Sequence, residues 1–200
     1  MYLWRDMTEA QRADAVEYRR IQRFPKHSPP HFDFDGENRY IITAACYQHL
    51  PIIGKDHIRL TDCESRILVA CEKHCSEIYA WCILPNHYHL LIKSAAIKLL
   101  RKELGLVHGR TSFEWNGEDD ARGRQVWHNC FERRMRSPRH FFASLNYVLN
   151  NAVHHGYAEK WQDWKWSNAQ AYLDHVGHER AEEIWREYPL KNYGKKWDTF

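Results

Sequence analysis

Glu77 to Lys93, EIYAWCILPNHYHLLIK, holds two apolar, β-favouring runs joined through Pro85-Asn86, and reads as a β-hairpin. Its second arm, Pro85-Asn86-His87-Tyr88-His89-Leu90-Leu91-Ile92, carries histidines at i and i+2. Residues two apart on a strand share a face, so His87 and His89 present two imidazoles side by side, while Tyr88, Leu90 and Ile92 fill the other face as core. Imidazole is the commonest protein metal ligand, and two on one face make a rigid half-site. A bare His-x-His is more often structural, and 14 histidines in 200 residues make chance pairs common. The pair therefore needs support from elsewhere in the chain.

Around the hairpin the chain sorts into alternating elements. Arg39 to Cys46 (RYIITAAC) is a strand rich in Ile, Tyr and Thr. Thr61-Asp62-Cys63-Glu64 has the form of a capping box, followed at helical spacing by Ile67, Leu68, Cys71 and Cys75. Residues 95–107 form a second helix with Leu99, Leu100 and Leu104 inward; 109–124 are polar and glycine-rich and read as an exposed loop; Gln125 to Met135 is another strand. The order β-α-β-β-α-β is the split βαβ arrangement of an α+β fold, an antiparallel sheet with helices on one face. Three regions follow: an N-terminal helical extension and linker (1–37), the core (38–158) and a Trp-rich C-terminal extension packing on it (159–200). The extension's helix spans 8–24, is capped by Thr8 and ends at Pro25.

A helix of about five turns answers the histidines. Ser137 at N-cap, Pro138 at N1 and Gly156 beyond the end bracket it. At about 100° per residue, Phe141, Phe142, Leu145, Val148, Leu149, Ala152 and Val153 gather on one side. Tyr147 falls almost opposite, with His140, Ser144, Asn151 and His154. Residues i and i+4 are neighbours, so Asn151 can complete a His87–His89–Asn151 site with Tyr147 aimed at the same spot; His140 and His154 are rival third ligands. Nitrogen and oxygen donors suit a divalent ion that also holds a phosphate oxygen. Such an ion would polarise a phosphate for attack by the tyrosine oxygen, giving a covalent phosphotyrosine. An exposed tyrosine on an amphipathic helix is the plain alternative.

Composition sets outer bounds. Hydrophobic residues at 44% and charged residues at 28% fit a folded protein; aromatics at 14% fill a core or stack on bases. A net charge of +3 permits a nucleic-acid partner without requiring one. The six cysteines lack CxxC spacing and read as reduced thiols. Cys71, His74 and Cys75 share a helix, but nothing completes a zinc set. No segment has the apolar length of a membrane span, and Met1 to Asp6 is charged where a signal peptide is apolar; a cytoplasmic protein is expected.

Ala80 to Ile92 resembles the His-hydrophobic-His motif of tyrosine transposases that act on single-stranded DNA. Arg139 to Tyr157 resembles the catalytic helix of their REP-associated branch, and Trp161-Gln162-Asp163-Trp164-Lys165-Trp166-Ser167 the Trp-rich signature after it. The likeness runs from about residue 38 to about residue 198. It implies a ferredoxin-like HUH nuclease core in which His87 and His89 bind Mg2+ or Mn2+ and Asn151 occupies the helix-borne third-ligand position. Tyr147 would be the nucleophile, leaving a 5′-phosphotyrosine and a free 3′-OH. The implied substrates are palindromic repeats folded into single-stranded hairpins, with no small-molecule cofactor and no membrane. The family usually has Asn-Pro-Val where this chain has Asn151-Ala152-Val153. Proline strains a helix, so alanine predicts a smoother one and a different aim for Asn151.

Arg133, Arg134, Arg136 and Arg139 surround the turn into the catalytic helix and are candidate DNA phosphate contacts, although alternation puts Arg133 and Arg134 on opposite faces. Trp161, Trp164 and Trp166 suit packing of the tail onto the core, with base stacking open to one of them. Lys191, Lys195 and Lys196 are further candidates. Two other functions fit these residues: a catalytically inactive nucleic-acid-binding protein on the same fold, and a metallo-hydrolase in which Tyr147 is incidental.

Overall fold

In the computed structural model, which describes residues 8–10, 17 and 36–194, four strands form one antiparallel sheet. They are β1 (Asn38–Ala45), β2 (Glu77–Ile83), β3 (His87–Ser94) and β4 (Phe131–Arg134), in the spatial order β2-β3-β1-β4. The helices are α1 (His57–Glu72), α2 (Ile97–Glu118), α3 (Pro138–Leu149), α4 (Asn151–His154), α5 (Ala169–Val176) and α6 (His178–Glu187). The chain divides into two compact units, Met1–Asp35 and Gly36–Phe200. The N-terminal helix and linker expected from the sequence lie outside the described residues apart from Thr8, Glu9, Ala10 and Glu17, as do Lys195 and Lys196.

Strand alternation divides the core in two. Tyr40, Ile42, Ala44, Tyr88, Leu90 and Ile92 pack under α1 and α2, with Ile67, Cys71, Leu100 and Leu104. Ile41, Ala80, Cys82 and Leu91 pack on the other face against α3, through Phe141, Leu145 and Val148. Each fully buried aliphatic side chain contributes about 2 kcal/mol. The α+β class and antiparallel sheet are thus as expected, and the two helices of the split βαβ unit share one face. Helix α3 adds a layer on the opposite face.

Several boundaries differ from the sequence reading. The N-cap of α1 is Asp56, whose carboxylate accepts from the Arg59 N–H; Thr61 lies inside the helix, its hydroxyl donating to the His57 carbonyl. Residues 109–118 continue α2 rather than forming a loop, because Leu104, His108, Thr111 and Trp115 extend a buried stripe beneath the polar surface. At the end of α2, the buried Arg59 guanidinium pairs with Glu118 and Asp119. Strand β4 is short, and residues before it join the sheet through a single bridge, Cys46 to Trp127. Trp164 and Trp166 pin the C-terminal segment to the sheet: the Trp164 indole donates to the Ile83 carbonyl, and the Trp166 carbonyl accepts from the Ile83 N–H. A bridge from Ser167 to Cys82 covers the outer edge of β2. All six cysteines are free thiols, and no helix among the described residues is long and apolar enough to cross a membrane.

Candidate active site

The site forms where β3 meets the junction of α3 and α4. A one-residue slip would exchange the two faces of β3, so the core demand of Tyr88, Leu90 and Ile92 forces His87 and His89 onto the α3 side, where both are fully buried. Asn151, the first residue of α4, puts Oδ1 3.0 Å from His87 Nε2. The Tyr147 hydroxyl lies 3.4 Å from His89 Nε2, with the two rings 5.0 Å apart. All four residues singled out in the sequence come together.

The imidazoles are oriented from behind. Asn86 Nδ2 donates to the His49 carbonyl at 3.1 Å, which turns Asn86 Oδ1 toward His87 Nδ1 at 2.7 Å. His87 therefore carries a proton on Nδ1. Thr43, paired with His89 across β1 and β3, sets Oγ1 2.8 Å from His89 Nδ1, and with the hydroxyl accepting, the His89 lone pair lies on Nε2. Ligand histidines are commonly fixed in this way. Sequence reasoning missed Asn86, Thr43 and His49; only the Pro85-Asn86 turn hinted at one of them.

The donor set fits a divalent ion. His87 Nε2 and the Asn151 amide oxygen lie 3.0 Å apart, while the buried Asn151 Nδ2 has no hydrogen-bond partner among the described residues. With Nε2 unprotonated on each ring, the two imidazoles and the Asn151 amide oxygen are nitrogen and oxygen donors of the kind that would hold a divalent ion. Among the described residues no group of three His, Cys, Asp or Glu side chains could hold a metal; the Asn151 amide oxygen would supply the third donor. His154 is exposed and His140 packs on Tyr193, 5.9 Å between rings. His155, which the sequence reading passed over, comes closer, its ring 4.9 Å from that of His87.

Tyr147 departs from expectation in one respect. It points to the histidines, but it is only 3% exposed and belongs to the same buried cluster as Phe141 and Leu145. The helical wheel assumed one buried side, whereas α3 has two. The C-terminal segment covers the second: Asn146 Nδ2 donates to the Tyr188 carbonyl, Phe142 stacks on Tyr188, and Ser144 bonds the Tyr193 hydroxyl. Gly194, at φ 76°, lies so close that a Cβ there would fall 2.1 Å from Tyr147 Cε2. Burial pushes the Tyr193 hydroxyl above its ordinary pKa, and burial, then Arg133 and Arg136, hold His140 below its own.

No protein-family model matches the chain. It is 26% identical over 146 residues, 68% of this chain and 82% of the other, to a Haemophilus influenzae protein named "Putative REP-associated tyrosine transposase". A solved structure titled as a REP-associated tyrosine transposase bound to a REP hairpin superposes with a TM-score of 0.54, covering 74% of this chain and 86% of that one. In sequence and in fold, the chain resembles the REP-associated tyrosine transposases. At 15% identity the solved structure speaks for the fold alone.

The departure from the Asn-Pro-Val pattern of REP-associated tyrosine transposases does not have the expected effect. The helix still breaks before Asn151, at Asn150 (φ −92°, ψ 3°), and Asn151 still reaches His87. Ala152 is fully buried in the cluster beneath α3. Of the arginines, Arg133, Arg136 and Arg139 are exposed. Arg133 pairs with Ile41 and so lies on the site's face; Arg134 lies on the other, where it donates to Asn38 Oδ1 at 3.3 Å.

Proposed function

We propose that the chain is a divalent-metal-dependent endonuclease and strand transferase for single-stranded, hairpin-forming repeat DNA, acting through a covalent 5′-phosphotyrosine on Tyr147. The observation that carries this reading is a buried pair of imidazoles, 5.0 Å between rings, with Asn151 Oδ1 on His87 Nε2 and the Tyr147 hydroxyl on His89 Nε2. The likeness to proteins named tyrosine transposases, one of them bound to a REP hairpin, supports the choice of DNA.

In this reading His87, His89 and Asn151 hold Mg2+ or Mn2+. When bound, the ion polarises the scissile phosphate and offsets the charge that builds up on it. Free phenol has a pKa near 10, so about 0.1% is phenolate at neutral pH. The Tyr147 oxygen bonds to phosphorus as its proton passes to water, and the P–O3′ bond breaks, the leaving oxygen taking a proton from water to become a 3′-OH. The phosphotyrosine conserves the bond, so a 3′-OH can attack it in the reverse sense and rejoin a strand. Arg133, Arg136 and Arg139 contact phosphates, while Asn86 and Thr43 keep both imidazoles aimed. The cover over Tyr147 at Tyr193 and Gly194 must shift for a phosphate to reach the phenol.

That cover favours a second reading, a catalytically inactive protein that binds nucleic acid on the same fold. A DNA stem-loop with unpaired flanks, incubated with Mn2+ and run on a denaturing gel, separates the two. Strand transfer predicts cleavage that EDTA, His87→Ala and Tyr147→Phe each abolish. Cleavage that persists in Tyr147→Phe refutes it, and metal-independent binding without cleavage selects the second reading.

A further inference from the structure

The open edge of the sheet carries a row of exposed aromatic rings beside the histidine pair. Residues 126–128 extend the pairing of β4 with the end of β1: the Tyr47 N–H donates to the Val126 carbonyl at 2.7 Å, and the His128 N–H to the Ala45 carbonyl at 2.8 Å. This holds Tyr47 against His128, their rings 6.5 Å apart and within 10° of parallel. His128 in turn lies 6.4 Å from Phe131, within 24°. Phe131 is 60% exposed and Tyr47 36%. Scattered apolar side chains at a surface are ordinary, but three nearly parallel rings in a row are not scattered.

Register ties the row to the site. Thr43 pairs with His89 on one side and Phe131 on the other, so the three share a face. Two strand spacings of about 4.8 Å put the Phe131 backbone about 10 Å from that of His89, about three stacked nucleotides at the ~3.4 Å rise of one strand. On the β1 segment between, Ala45 pairs with His87 and Thr43 with His89. Both are small, so little side-chain bulk stands on β1 between the rings and the buried imidazoles. The ring centroids are 6.5 and 6.4 Å apart along the row. Arg133 stands two residues beyond Phe131 on the same face, where a phosphate backbone running along the edge would meet positive charge.

We infer that Tyr47, His128 and Phe131 form a stacking track for the unpaired bases of a single-stranded DNA segment leading into the His87–His89–Tyr147 site. The inference rests on the strand-transfer reading for the identity of the nucleic acid. Every base has a π face, so such a track is indifferent to sequence and sets only the path of the strand. Duplex DNA, with its bases already stacked, has no use for it.

The test uses the full-length chain with two probes: a DNA stem-loop whose unpaired flanks carry 2-aminopurine, and the same stem-loop without flanks. Phe131→Leu keeps an apolar side chain at an exposed position and removes the ring. It is expected to weaken binding of the flanked probe about five- to hundred-fold, to leave the flankless probe unchanged, and to abolish quenching of 2-aminopurine; Phe131→Trp restores both. Equal binding and quenching by wild type and Phe131→Leu overturns the track. So does wild-type binding that ignores the flanks, with the strand-transfer reading left standing. If wild type binds neither probe, that reading fails and the track falls with it.

Discussion

Asn86→Ala removes the group that fixes the His87 tautomer, and its effect can be worked from the structure. The side chain donates to the His49 carbonyl at 3.1 Å and accepts from His87 Nδ1 at 2.7 Å. Losing both leaves His87 free to turn and to carry its proton on either nitrogen. Removal of such an outer partner lowers metal affinity about 10- to 100-fold, or about 1.4–2.7 kcal/mol. At saturating metal, the stabilisation gained on binding falls by the same amount. At about 2–4 °C per kcal/mol for a unit of this size, the Mn2+-induced rise in Tm should shrink by roughly 3–10 °C. Free Mn2+ read by electron paramagnetic resonance during a titration gives the affinity, and thermal melts with and without metal give the linked stability. Asn86→Asp should recover most of the affinity, because a carboxylate still accepts from Nδ1–H although it cannot donate to His49. If Asn86→Ala folds normally and binds Mn2+ within two-fold of wild type, orientation of His87 by Asn86 is refuted.

Burial holds His108 near a pKa of about 4 instead of 6.5, with Tyr88 OH 3.0 Å from Nε2. A folded pKa below the unfolded one gives stability that is complete above pH 6.5 and lost as pH falls through about 4, here about 3 kcal/mol. Urea midpoints measured across that range should fall less steeply for His108→Gln, and parallel curves would contradict the assignment. Arg59→Leu leaves Asp119 paired with Lys55 and Arg124 but removes the buried guanidinium that binds Glu118, Asp119 and the Ile52 carbonyl, and should cost about 1–3 kcal/mol, seen as a lower denaturant midpoint; an unchanged midpoint would show these contacts to be idle. Gly194→Ala forces a Cβ to within 2.1 Å of Tyr147 Cε2 at a φ of 76°, so the turn over Tyr147 should lift. Tyr147 should then react faster with a tyrosine-acylating reagent, read by peptide mass mapping, and an unchanged rate would mean that the turn does not gate the phenol.

The parts of the fold that depend on local period were legible in the sequence. Pro85-Asn86 and the alternation on either side gave the hairpin, and the i, i+4 spacing gave Tyr147 with Asn151. The end of α2 was not legible, because Gly109, Gly117 and the run of acids imitate a loop while His108, Thr111 and Trp115 carry its buried stripe. The burial of Tyr147 was hidden for another reason: its cover comes from Tyr193 and Gly194, more than forty residues along the chain. Thr43 and Phe131 acquire meaning only once β1 is set in register with β3 and β4. That register is a tertiary fact, carried by no single stretch.

The most direct test of the central claim is mass spectrometry of the chain after incubation with a flanked DNA stem-loop and Mn2+. The account predicts an oligonucleotide attached through a 5′-phosphate to the peptide containing Tyr147, and its absence from Tyr147→Phe. Cleaved DNA with no adduct on that peptide, or an adduct that survives Tyr147→Phe, would contradict it.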